Sequence, residues 1–184
     1  MAGTTNSLID QIRKISEENN TSEGDLILST GEQVSIGLMS IILNNKGVKA
    51  RTWTAWQVPI FTTADYGKAR IENISTKNIM NSFSKYDVAI VAGFQGITKK
   101  ETVSTLGRGG SDTTAVAVAA AFKASQCDIY TDVEGVYTAN PLIAPKAKKI
   151  NKITYEEMLE MSSLGAKVPV SYTHLRAHET LRYL

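Results

Sequence analysis

The chain has 184 residues, 42% of them apolar and 21% charged, with a formal net charge of +2. That length suits one domain with a sizeable core, and the interspersed charges leave no basic stripe for nucleic acid. No apolar run reads as long enough to span a membrane and no signal-peptide pattern opens the chain, so a soluble, cytoplasmic protein is expected. The single cysteine, Cys127, has no internal partner. Its apolar, strand-like context predicts a buried, inert thiol in a reducing compartment.

In chain order, Leu8, Ile9, Ile12 and Ile15 recur at helical spacing and predict a helix over 7–18, capped by Thr4 or Thr5. Residues 19–24 read as a polar loop, and Asp25-Leu26-Ile27-Leu28-Ser29 as a short apolar strand-like run. Thr30-Gly31-Glu32 then leads into a second helix through Val34, Ile36, Leu38, Met39, Ile41 and Ile42, closed by Gly47 in the left-handed position. A strand follows at 49–53. Residues 53–74 carry a weak signal, with Pro59 against any central strand, and predict short strands and a loop able to cover a site. Residues 75–84 look helical, and 87–92 (DVAIVA) form the clearest buried strand, closed by Gly93. A polar hairpin around Lys99, Lys100 and Glu101 returns the chain through Val103. After a helix that begins at Ser111 and Asp112 and runs through the alanine- and valine-rich 115–124, a strand is expected at 128–131, a turn-rich loop at 132–141, a solvated basic stretch at 146–152 and a helix at 155–163, with Thr154 and Glu157 as a capping box. Alternating strands and helices predict an α/β fold with a mainly parallel sheet covered on both faces.

Chemistry concentrates in Leu106-Gly107-Arg108-Gly109-Gly110-Ser111-Asp112-Thr113-Thr114-Ala115. The glycines allow close backbone approach and positive φ, and Ser111 and Asp112 stand where a helix should begin. A cation, free helix-start amides and a carboxylate in one small volume suit a zwitterion, with Arg108 on a carboxylate and Asp112 on an ammonium group. Taken alone, a GxGG loop is more often an ordinary turn before a capped helix.

TLGRGGSDTTAVAVAAA closely resembles the substrate loop and following helix of aspartate kinases, a branch of the amino-acid-kinase family. CDIYTDVEGVYTANP resembles their nucleotide-binding strand and loop, and MAGTTN, STGEQVS, VAGFQG and YEEMLEMSSLGAKV match in order and rough spacing. The resemblance covers 1–168 and implies a three-layer α/β/α sandwich, here incomplete. It implies transfer of the γ-phosphoryl group of ATP, with Mg2+ carried by the nucleotide and no separate metal site, to the side-chain carboxylate of L-aspartate. The family assigns Thr5, Glu32, Arg108, Gly109, Ser111 and Asp112 to the amino acid, with Arg108 and Asp112 also orienting the reacting groups. It assigns Thr131, Asp132, Tyr137 and Lys167 to the nucleotide. A homo-oligomeric parent in lysine and threonine biosynthesis, without nucleic-acid or membrane partners, is implied as well. Another carboxylate or carbamate kinase of the family, or a non-catalytic binding fragment, are the alternatives.

Asn140-Pro141-Leu142 replaces the Asp-Pro-Arg usual in the family, which removes one arginine contact to nucleotide. The family's opening strand and Lys-Phe-Gly-Gly-Thr loop have no counterpart after Met1, and the chain by itself is therefore expected to be catalytically silent. Residues 169–184 depart from the family after Pro169 and resemble a translated sequencing adapter; both histidines, His174 and His178, lie there and are given no role. Deleting 170–184 is expected to shift the melting midpoint little. A large loss of stability would make the segment part of the fold.

Overall fold

The computed structural model describes residues 3–16, 20–130, 137–139 and 143–154. The expected helix at 155–163, the tail from 169 and the loop residues 131–136 and 140–142 lie outside the described residues. Ten elements follow in the order α1 (Thr4–Arg13), α2 (Ser22–Asn45), β1 (Ala50–Trp53), β2 (Ile60–Thr62), β3 (Ile71–Ile74), α3 (Lys77–Ser82), β4 (Val88–Val91), β5 (Gln95–Ile97), β6 (Val103–Thr105) and α4 (Gly110–Ala121).

Strands β1 and β4 pair in parallel from Ala50 opposite Val88 to Trp53 opposite Val91, and the Ala92 N–H continues the ladder to the Trp53 carbonyl at 2.9 Å. The second sheet runs β3-β2-β5-β6. Its central β2–β5 pair is parallel, and the β2–β3 and β5–β6 pairs flanking it are antiparallel. Pro59 falls one residue ahead of β2 and so removes no ladder donor from that central strand. The polar hairpin is the β5–β6 turn, in which Glu101 adopts φ 61 and the Thr98 N–H donates to the Thr102 carbonyl. The core is Trp53, Ala55, Val58, Ile60 and Ile79, flanked by Ile71, Ile74, Ala89, Val91 and Phe122. Phe122, at the end of α4, and Ile79, on α3, bring those helices onto the apolar faces of the strands.

Helix α2 departs most from its sequence pattern. Residues 25–29 are not a strand but the first turns of a 24-residue helix. The Thr21 side chain caps it by accepting from the Gly24 N–H at 3.1 Å, and Glu23 and Asp25 place negative charge in its first turn. Asp25, Ser29, Glu32 and Ile36 recur at helical spacing on the inward face, while Ile27, Val34, Leu38 and Ile41 are exposed on the opposite side. By length and a mean hydropathy of 1.6, this helix meets the test for a membrane crossing, contrary to the expectation that no apolar run comes near it. Its contacts with α1, β1, β4 and β6 tie it into the domain.

Smaller differences have local causes. Helix α1 begins at Thr4 with Gly3 (φ 85) before it, so neither threonine is its cap. Gly109 (φ 71), rather than Ser111 or Asp112, is the N-cap of α4. That helix stops at Ala121, and Lys123 turns left-handed at φ 51. Residues 128–130 form no strand and are exposed, and the Cys127 thiol is exposed rather than buried.

Ile60 is fully buried where β2 enters the core. Ile60→Ala should lower the unfolding free energy by about 2–5 kcal/mol in equilibrium denaturation, the usual range for emptying such a site. A loss below about 1 kcal/mol would show that the surroundings collapse into the space.

Candidate functional site

The turn between β6 and α4 is fixed by backbone geometry. Gly107 (φ 76) and Gly109 (φ 71) both occupy the left-handed region. A Cβ on Gly107 would lie 2.8 Å from the Gly67 carbonyl oxygen, and one on Gly110 would lie 2.9 Å from both Leu106 and Phe94. Arg108 is therefore held between residues that only glycine fits. Its side chain is exposed, and it has no ion-pair partner among the described residues.

A second turn, Gly93-Phe94 after β4, locks onto the same place. Phe94 adopts φ 66, a conformation that a bulky residue holds only when its surroundings impose it. The Phe94 carbonyl accepts from the Leu106 N–H at 2.9 Å, and its N–H donates to the Thr114 hydroxyl at 3.0 Å. Thr114 in turn donates to the Gly110 carbonyl at 2.7 Å. A Cβ on Gly93 would meet the Ser111 backbone at 3.1 Å, so the turn lies directly against the start of α4. Ser111 is exposed there and Asp112 half-buried in the first turn, beside amides that have no intrahelical acceptor.

Glu32 lies on α2, the helix that packs against β6 just ahead of the glycine turn. It lies mid-helix, not at a helix start past a strand, so the dipole explanation of its position falls away. It is half-buried, and its Oε2 is inaccessible to solvent and accepts no hydrogen bond in the structure. Burial raises its pKa above the ordinary carboxylate value, with a backbone hydrogen bond opposing. Thr5 and Thr4 are half-buried in the first turn of α1, which lies near Gly31 of α2: a Cβ there would make ordinary contact with Thr4 Cγ2 at 3.5 Å. The structure thus places Arg108, Gly109, Ser111 and Asp112 together at one turn, and Thr5 and Glu32 on α1 and α2, two helices that pack against each other. The buried Gln95 at the start of β5 ties that strand to α2, its Nε2 donating to the Ser29 carbonyl at 3.1 Å. Of the four nucleotide residues, Thr131, Asp132 and Lys167 lie outside the described residues. Tyr137 is half-buried and bridges to Lys149.

The sequence reading missed Asp25. It is fully buried, and its Oδ2 accepts from the Gly67 N–H (2.9 Å) and the Thr105 N–H (2.6 Å), its Oδ1 from the Thr105 hydroxyl (2.8 Å). Burial raises its pKa, against the lowering effect of those donors. A buried acid inside an apolar-looking run was the one available clue.

The sequence model of the amino acid kinase family matches residues 2–178. The chain belongs to the amino acid kinase family. Within it, the chain is 52% identical over 168 residues to an aspartate kinase of Stutzerimonas stutzeri, covering 91% of this chain and 41% of that protein. It is 48% identical over 187 residues to an aspartokinase of Rickettsia conorii, covering all of this chain and 46% of that one. Among solved structures, aspartokinase III of E. coli in complex with aspartate and ADP superposes with a TM-score of 0.78 at 30% identity, over 93% of this chain and 39% of that one. The chain therefore spans less than half the length of these family members, and its α/β architecture is the family's fold.

Glu32→Gln should stabilise the folded chain at neutral pH, because it removes a desolvated charge. A carboxyl whose folded pKa is raised gives stability that is present at acid pH and lost as pH rises from the ordinary carboxylate range through the raised value. The gap between variant and wild type, read by denaturant unfolding at several pH values, should open across that window and close below it. A gap that did not change with pH would mean that Glu32 titrates normally.

Proposed function

We propose that the full-length protein is an aspartate kinase. The observation that carries this reading is Glu32, a carboxylate turned into the domain with an Oε2 that has no protein partner and is therefore suited to an ammonium group. The unpaired guanidinium of Arg108, on a turn only glycine permits, suits a carboxylate of the same amino acid through two parallel hydrogen bonds. Identities near 50% to aspartate kinases, and the likeness to an aspartokinase bound to aspartate and ADP, support aspartate as acceptor and ATP as donor.

In the reaction, a side-chain carboxylate oxygen of L-aspartate bonds to the γ-phosphorus of ATP as the bond from that phosphorus to the ADP oxygen breaks. The nucleophile is already ionised, so no base is needed, and no covalent enzyme intermediate forms. Catalysis then rests on holding the acceptor in line and neutralising charge. Thr5, Glu32, Arg108, Gly109, Ser111 and Asp112 hold the acceptor, and Thr131, Asp132, Tyr137 and Lys167 the nucleotide. Magnesium would be carried by the nucleotide phosphates and would neutralise their charge. The product, aspartyl phosphate, fits an entry step to lysine, threonine and methionine synthesis in the cytoplasm, by a homo-oligomer that needs no nucleic acid or membrane. Residues 1–168 form part of the kinase domain, and 169–184 are taken as non-native.

The test is a coupled assay of ADP release by the full-length protein with a panel of amino acids and other carboxylates, in wild type and Arg108→Lys. Wild type should turn over with L-aspartate. The variant should lose roughly 30- to 150-fold in kcat/KM for aspartate, about 2–3 kcal/mol, with the KM for ATP little changed. Turnover with a different acceptor, or equal losses for both substrates, would contradict the assignment.

A further inference from the structure

The inward face of α2 carries a second carboxylate that the proposed chemistry leaves without a task. Asp25 is fully exluded from solvent and no cation pairs with it among the described residues. Three donors converge on it instead, from segments 42 and 80 residues away in the chain. One segment is the loop between β2 and β3, through the N–H of Gly67, itself left-handed at φ 76. The other is the last residue of β6, Thr105, through both its N–H and its hydroxyl. The two segments are also joined to each other, since the Ala69 N–H donates to the Thr105 carbonyl at 2.8 Å.

Both of these segments abut the Arg108 turn. Thr105 stands two residues ahead of Gly107, and the Gly67 carbonyl is the atom that a Cβ on Gly107 would meet at 2.8 Å. On the other side, Asp25 shares one rigid helix and one face with Glu32, seven residues or about 10.5 Å further along. We propose that Asp25 is a positioning residue: it locks α2 to the Gly67 and Thr105 backbones and so sets the distance between Glu32 and Arg108, the two groups that grip opposite ends of the acceptor. Its role presupposes the aspartate-kinase reading only in the identity of that acceptor.

A carboxylate is needed because three donors meet two oxygens that must all accept. Asparagine has the same shape but turns an NH2 group toward at least one of those donors. The first turn of α2 adds a helix-terminal field that favours negative charge there. A group that merely stabilised the fold would change the folded fraction, and with it the amount of active enzyme, but not the relative use of two substrates. A group that sets the spacing of Glu32 and Arg108 changes acceptor use selectively, because small displacements at a binding site are felt strongly.

The experiment compares wild type, Asp25→Asn, Thr105→Val and the double variant in the full-length protein, with KM for L-aspartate, KM for ATP, kcat and melting temperature. Asp25→Asn should raise the aspartate KM about tenfold or more and leave the ATP KM within about twofold. Thr105→Val removes one of the three donors and should move the aspartate KM in the same direction by less. The double variant should be no worse than Asp25→Asn alone, because both act on one linkage. An unchanged aspartate KM in folded variants, or equal changes for both substrates, overturns the proposal. If Asp25→Asn fails to fold, Thr105→Val decides by the same split. If wild type phosphorylates another carboxylate, the functional reading fails while the same comparison with that acceptor still tests Asp25. With no acceptor turned over at all, amide hydrogen exchange decides. Faster exchange confined to 105–112 in Asp25→Asn supports the proposal, and uniform or absent change overturns it.

Discussion

A single buried carboxylate gathers the parts of this domain that bear on chemistry. Three hydrogen bonds to Asp25 join the start of α2, the loop after β2 and the end of β6. Burying an ionised group is costly unless donors replace its water, and here every donor comes from the backbone or hydroxyl of a segment next to the glycine turn. Removing the carboxylate would leave the N–H groups of Gly67 and Thr105 without this acceptor, a cost that falls where the three segments meet. The short strands contribute little independent stiffness, and β2, β5 and β6 have only three residues each. Side-chain anchors of this kind do what a longer ladder would do elsewhere.

Against that satisfied acid stand groups that the fold leaves unsatisfied. Glu32 Oε2 has no partner and Arg108 has no counter-ion among the described residues. Phe94 is held at positive φ between the Leu106 N–H and the Thr114 hydroxyl. A desolvated, unpaired carboxylate and imposed backbone strain each lower stability, and such features concentrate at binding sites. A zwitterionic amino acid would supply both missing partners at once.

Much of this was legible from local pattern. The glycine turn, the helix after it and the β4 run are each encoded by residues within a few positions: glycines where φ is positive, alanines where a helix follows, an unbroken apolar stretch where a strand forms, although all four β4 residues are half-buried rather than buried as expected. Gly47 likewise ends α2 where a left-handed residue was expected. The first turns of α2 were not legible, because Asp25-Leu26-Ile27-Leu28-Ser29-Thr30-Gly31 mixes apolar, hydroxyl and glycine residues that favour strand or turn. Their helical state depends on the Thr21 cap and on donors 42 and 80 residues away, which no window along the chain contains. That one misplacement moved Glu32 from mid-helix to a helix start and hid Asp25 inside a supposed strand. Cys127 and Ile129 misled in the opposite way. Their apolar pattern suggested a covered strand, whereas the described chain beyond Lys123 is exposed there.

The most direct test of the account is a structure of the full-length protein with L-aspartate bound. The amino acid should lie between α2 and the glycine turn, its ammonium within hydrogen-bonding distance of the Glu32 carboxylate and a carboxylate held by both terminal nitrogens of Arg108. Aspartate bound elsewhere, or bound there with Glu32 and Arg108 turned away from it, would contradict the account.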